Sequence, residues 1–192
     1  MGGISSSKSG GDSWLSVLAE RRSGATVRRG AAINLYRLVT NSCPALQAVT
    51  GPGVQVQVTA PEDLGRVRGY PGQLHQALLS LAVNAAEAMD GQGSLRIFLT
   101  NQDPEPAPET GELCATDSPT EHVLLEVADH GCGMDPAIKG RIFAPTYTTK
   151  KGGSGLGLFF VQDVVDRHGG IVDVESAPGV GTTFLVYLPR AA

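Results

Sequence analysis

The sequence predicts an α+β fold: a two-layer sandwich of a mixed, mostly antiparallel sheet with helices on one face. Three observations carry that prediction. Residues 53–60 alternate Val54, Val56 and Val58 with Gln55, Gln57 and Thr59, the period of two of a half-buried strand. Residues 72–89 set Leu74, Ala77, Leu78, Leu81, Ala85 and Ala88 on one side of a helix, with a polar stripe of Gln73, Gln76, Ser80 and Glu87 beside them. The last two β segments, 171–176 and 182–188, flank Pro178-Gly179 and read as an antiparallel hairpin. A chain of 192 residues that is 41% hydrophobic and 18% charged is too apolar for disorder and long enough for one packed core.

The other elements follow in chain order. Residues 1–11 are a Gly/Ser-rich leader, and 12–22 form a short helix capped by Asp12 or Ser13, with Trp14, Leu15 and Leu18 on one side. Residues 23–31 are a Gly/Arg-rich linker, so the chain divides into a flexible leader, 1–31, and a domain, 32–192. Residues 32–49 look helical through Ile33, Leu35, Leu38 and Val39, although Pro44 interrupts. A strand at 94–100 follows the turn at Asp90-Gly91. Residues 101–121 are a Pro/Glu/Thr-rich loop, long for a compact domain. A strand at 122–128 comes next, then a short helix opened by Asp135-Pro136, with proline at its first position. A clear helix spans 155–168 and stops at Gly169-Gly170.

Charge is uneven around a net −4. Residues 1–40 hold six Lys/Arg against two acids, and residues 101–121 hold six acids and no base. Such blocks read as solvated arms, so no nucleic-acid partner is expected. The three cysteines form no CxxC pair, which indicates neither a zinc site nor a disulfide framework and points to a reducing cytoplasm. No apolar run approaches the roughly 18 residues of a membrane span.

Glycine marks the chemistry. Of 25 glycines, eleven lie between Gly131 and Gly181. One cluster, Asp129-His130-Gly131-Cys132-Gly133-Met134, follows a strand; the other, Gly152-Gly153-Ser154-Gly155-Leu156-Gly157, precedes a helix. A glycine-rich turn feeding a helix N-terminus exposes N–H groups and a positive dipole end, an arrangement that holds phosphate. It is not a Walker loop, because no GxxxxGK is present. It is a poor dinucleotide loop as well: the spacing is GxGxG, and the preceding Thr146-Tyr147-Thr148-Thr149-Lys150-Lys151 is not a buried strand. Asn84 lies where the apolar and polar stripes of its helix meet, which suits a group facing a ligand at the edge of the core.

The order of Asn84, Asp129-x-Gly131-x-Gly133, Phe143, Gly153-x-Gly155-x-Gly157 and Gly181-Thr182-Thr183-Phe184 resembles the ATP-binding domain of bacterial sensor histidine kinases. These share a superfamily, and a Bergerat-type fold, with gyrase, Hsp90 and MutL ATPases. Ile142-Phe143-Ala144-Pro145-Thr146-Tyr147-Thr148-Thr149-Lys150 is similar to the lid of the nitrogen-regulatory subgroup. The resemblance implies ATP and Mg²⁺ as ligands. It implies Asn84 as the metal residue, Asp129 as acceptor of the adenine amino group, Gly131 and Gly133 close to the base, and Met134 and Phe143 among the nucleotide-binding residues. It places Gly153, Gly155 and Gly157 around the β- and γ-phosphates with Lys150 to neutralise their charge, Thr183 near the adenine, and Glu87, Thr149, Ser154, Leu156 and Leu158 among the nucleotide-binding residues. Asn84 and Lys150 are the implied catalytic pair, and residues 135–154 the implied lid. His130 is placed to brush the nucleotide, His75 to be exposed, and His168 to complement a helix end.

Relatives with a glutamate four residues before the asparagine use it as a general base. This chain has Ser80, whose unperturbed hydroxyl cannot serve near neutral pH. Many histidine kinases have asparagine there, so Ser80 departs from that pattern too. None of the four histidines is followed by an acid, as a phosphoacceptor would be. The resemblance therefore implies a catalytic domain acting on a histidine of a dimerisation domain outside this chain, and through it on a response regulator. Segment 12–31 would be the stub of the dimerisation helix, the isolated domain monomeric, and any membrane contact made by other domains. A non-catalytic nucleotide-binding regulatory module, and less readily a self-contained ATPase, are the alternatives.

Overall fold

The computed structural model describes residues 30–102, 121–150 and 153–191. The expected leader, the helix at 12–22 and most of the 101–121 loop lie outside the described residues. In order, the elements are β1 (Ala31–Asn34), α1 (Leu35–Thr50), β2 (Val54–Thr59), β3 (Arg66–Gly69), α2 (Pro71–Ala88), β4 (Gly93–Gln102), β5 (His122–Asp129), α3 (Pro136–Lys139), α4 (Gly157–Arg167), β6 (Ile171–Ala177) and β7 (Gly181–Pro189).

Five strands form one sheet in the order β2-β4-β5-β7-β6. Only the β2–β4 pair is parallel, and the other three pairs are antiparallel. Strand alternation sorts the side chains. Val54, Leu95, Ile97, Leu99, Val123, Val127, Val174, Phe184, Val186 and Leu188 are buried beneath the helices, in one cluster with Val39, Leu46, Leu78, Leu81 and Val161. The α+β class and the helices on one face are as the sequence predicts.

Three local expectations change. Residues 31–34 are not helical: they pair antiparallel with β3, a strand the hydrophobic pattern does not reveal. Asn34 then caps α1, its side chain accepting from the Arg37 N–H at 2.9 Å. The helix also runs through Pro44 to Thr50 instead of breaking there. An interior proline costs about 3 kcal/mol. Val39 and Leu46, on either side of it and each 0% exposed, offset that cost at roughly 1.5–3 kcal/mol apiece. Finally, α4 begins at Gly157, because Gly155 sits at φ +65°, which a right-handed helix cannot continue.

Two histidines are tied into the fold, the first against expectation. His75 is half-buried, with Nδ1 2.7 Å from the Ser42 hydroxyl on α1. His168 is buried, with Nδ1 2.7 Å from the Val164 carbonyl while Nε2 accepts the Tyr70 N–H at 3.1 Å. His168 thus ties the end of α4 to the start of α2.

Candidate functional site

The central strand β5 delivers Asp129 to the edge of the core. Asp129 pairs with Thr182 of β7, and its Oδ1 accepts the N–H groups of Gly131 at 2.8 Å and Thr182 at 3.3 Å. Both bonds fall on Oδ1, which leaves Oδ2 as the oxygen available to a ligand. Burial raises the Asp129 pKa above its ordinary 3.8; the two backbone bonds, and after them the charges of His130 and Lys150, oppose the rise.

The turn after Asp129 is anchored on two sides. The Cys132 N–H bonds the Ala88 carbonyl at the end of α2, and the Cys132 carbonyl accepts from Gly179 in the β6–β7 turn. The Met134 N–H bonds the Ser176 hydroxyl at 2.9 Å. Gly133, at φ +66°, makes this possible: a Cβ there would overlap the Ala177 carbonyl oxygen.

The second group of residues gathers where α2, the segment after α3 and the start of α4 meet. Asn84 is half-buried on α2, and a Cβ at Gly157 would lie 3.8 Å from its Nδ2, so α4 begins beside Asn84. The eleven-residue α4 has no acid in its first turn, and its leading N–H groups lack intrahelical partners. Lys150 reaches in from the lid. Its ammonium forms an ion pair with Glu87 and lies 3.3 Å from Asn84 Oδ1. Glu87 is one turn along α2 from Asn84, on the same face.

Both groups line one cleft of about 740 Å³, within the usual range of ligand pockets. Met134, Ile138, Ile142, Leu158 and Phe184 supply apolar wall, while Asn84, Glu87, Asp129, Thr149, Lys150 and Thr182 supply polar groups. The cleft therefore has a carboxylate above apolar surface at one end, and a carboxamide, an ammonium and a helix N-terminus at the other. That distribution matches a ligand with a flat heteroaromatic part and an anionic tail.

Comparison with known proteins agrees. The family described as "Histidine kinase-, DNA gyrase B-, and HSP90-like ATPase" matches residues 69–192. The chain belongs to this ATPase family. Among its relatives, the sensor histidine kinase ZraS of Salmonella typhi is 35% identical over 162 residues, 84% of this chain and 31% of that protein. The sensory histidine kinase/phosphatase NtrB of Vibrio alginolyticus is 35% identical over 81% of this chain and 43% of that protein. The chain thus spans under half the length of either. In structure it resembles the catalytic domain of the histidine kinase ThkA, with TM-score 0.63 and 25% identity over 84% of this chain and 96% of that one. It also resembles full-length ShkA in complex with AMPPNP, with TM-score 0.66 and 25% identity over 91% of this chain and 34% of that one.

Within this histidine-kinase-like ATPase domain, most residues picked from sequence line the cleft: Asn84, Glu87, Asp129, Gly133, Met134, Thr149, Lys150, Gly153, Ser154, Gly155, Gly157 and Leu158. Four lie elsewhere. Gly131 sits behind the cleft, donating to Asp129. Phe143 backs the wall, meeting Phe184 edge-on with ring centroids 6.4 Å apart. Leu156 is exposed at the cap of α4. Thr183 needs correction: paired with Ala128 and Glu175, it takes the sheet face opposite Phe184, and Thr182 is the threonine in the cleft. His130 also turns away from the cleft, with Nε2 2.7 Å from Arg96. The reading missed Thr182, Ile138 and Ile142. Strand parity with Phe184 identifies Thr182; Ile142 opens the quoted Ile142–Lys150 box, whereas Ile138 carries no motif.

Proposed function

We propose that this chain is the Mg·ATP-binding catalytic domain of a cytoplasmic sensor histidine kinase. It donates the ATP γ-phosphate to a histidine on a dimerisation domain outside this chain, which serves a response regulator. The observation that carries the reading is the convergence on one cleft of Asp129 at one end and Asn84, Lys150 and the α4 N-terminus at the other. Among the described residues no helix is long and apolar enough to cross a membrane.

In this reading Asp129 Oδ2 accepts the adenine amino group, and Met134, Ile142 and Phe184 cover the base. The N–H groups at the start of α4, with Gly153 and Gly155, hold the terminal phosphates. Asn84 Oδ1 is the metal's protein oxygen, and it already faces a cation, the Lys150 ammonium. Mg²⁺ supplies charge neutralisation across the phosphate oxygens when bound. Lys150 and the α4 amides stabilise charge on the transferring group. The partner's imidazole attacks the γ-phosphorus, the bond to the bridging oxygen breaks, and ADP departs with that electron pair. Ser80 lines the cleft four residues before Asn84, so no carboxylate stands there to activate water.

Ser80 also supports a second reading, a nucleotide-binding module that gates a partner without transferring phosphate. A calorimetric Mg·ATP titration tests binding, and γ-labelled ATP with an added histidine-bearing dimerisation domain tests transfer. Binding and transfer are expected. Binding without transfer favours the second reading, absence of binding overturns both, and steady hydrolysis by the chain alone points to a self-contained ATPase.

A further inference from the structure

Lys150 and Glu87 have a relation that ATP binding alone does not explain. In the structure the lysine is already engaged within the cleft. Its ammonium pairs with Glu87 and approaches the oxygen of Asn84 assigned above to the metal. Asn84 and Glu87 stand three residues apart on α2, so one turn of helix presents both oxygens to one cation. The lid that brings the lysine there is strained. Thr146, a β-branched residue, is held at φ +62°, and its backbone packs so closely on Gly155 that no Cβ would fit between them. A strained segment keeps its place through the contacts around it, and the Lys150–Glu87 pair is one of them.

We propose that Glu87 is a positioning residue that parks the lid lysine in the seat of the metal. Lysine and Mg²⁺ then compete for Asn84 Oδ1. Entry of Mg·ATP displaces the ammonium from Asn84 and frees it to swing onto the phosphates, so the lid releases only when the metal and the triphosphate arrive together. This inference rests on the proposed metal role of Asn84.

The partners' side chains are 43% and 50% exposed, so the pair is weak and its effect small. The test is amide hydrogen exchange of lid segment 141–150 in nucleotide-free protein, for wild type, Glu87→Gln, Lys150→Gln and the charge swap Glu87→Lys/Lys150→Glu. Each single change is expected to speed lid exchange roughly two- to five-fold, while β5 keeps its protection. The charge swap is expected to restore protection, which a general loosening of the lid would not allow. Association of a fluorescent Mg·ATP analogue is expected to speed up in Glu87→Gln. Unchanged lid exchange in both single variants, or a charge swap as fast as either, overturns the proposal. The metal reading fails separately: wild-type nucleotide affinity that ignores Mg²⁺ removes it, whatever the exchange rates.

Discussion

Asp129→Asn separates binding from folding, because the two should move in opposite directions. Asparagine keeps an oxygen where Oδ1 accepts from Gly131 and Thr182. It replaces Oδ2 with an N–H₂ group, so a donor would meet the adenine amino donor. A hydrogen bond to a charged group is worth about 1.5–3 kcal/mol. At about 1.4 kcal/mol per factor of ten, ATP affinity should fall roughly ten- to hundred-fold. Stability should not fall with it. Burial is the leading cause of the raised Asp129 pKa, so the folded state gives up this charge more readily than the unfolded chain does. Removing that charge should leave the domain as stable as wild type or more so. Calorimetric titration and urea unfolding at pH 7 read the two quantities. Wild-type affinity in the variant refutes the adenine role, and a clear loss of stability refutes the account of the buried charge.

The same residue sets a pH signature. Between the unfolded value near 3.8 and the raised native value, the native protein holds a proton that the unfolded chain has lost. Stability from this group therefore falls as pH rises through that window. Affinity for the adenine donor rises through the same window as the carboxylate forms. Asp129→Asn should flatten both trends, and a variant that keeps the wild-type pH dependence of affinity would assign it to another group.

Further outcomes follow from single contacts. Asn84→Ala should bring the ratio of ATP affinities with and without Mg²⁺ close to one, and an unchanged ratio in the titration removes the metal role. Gly133→Ala forces a Cβ onto the Ala177 carbonyl at φ +66° and should cost about 2–3 kcal/mol in urea unfolding, whereas a neutral result would mean the turn relaxes freely. His168→Ala strips the Tyr70 N–H of its acceptor and should cost about 1–3 kcal/mol by the same measurement. Thr182→Val removes a cleft-lining hydroxyl, 3.0 Å from that of Ser176, and should weaken ATP binding a few-fold, in line with about 1 kcal/mol for one neutral hydrogen bond, while Thr183→Val leaves it unchanged; the reverse result would put Thr183 in the cleft.

The large elements were legible because each buries a face long enough to show its period: α2 by its apolar stripe, β2 by its alternating valines, and the β6–β7 hairpin by its turn. The pair β1 and β3 was not. Arg66-Val67-Arg68-Gly69 carries one apolar side chain, and its partner, Ala31-Ala32-Ile33-Asn34, lies more than thirty residues away. Four residues with one buried valine show no period, and such a strand exists only because its partner does. Pro44 misled for the opposite reason. Its local cost is real, but packing at Val39 and Leu46 outweighs it, and no local window contains that packing.

The site divides along the same line. Motif glycines and Asp129 sit in short boxes whose order carries the family resemblance, so the resemblance could place them in the chain. The choice between Thr182 and Thr183 was legible too, through strand parity: Phe184 opposes Val127 on the core side, so Thr182 shares the face of Asp129 and Thr183 cannot. The Lys150–Glu87–Asn84 contact is different in kind. It joins a lid residue to a helix residue 63 positions away, through side chains that are each about half exposed. No periodicity or motif encodes such a contact, because it depends on where a strained segment comes to rest. The boxes that line the cleft are therefore written locally in the chain. The part that decides when the lid lets go is written only in the fold.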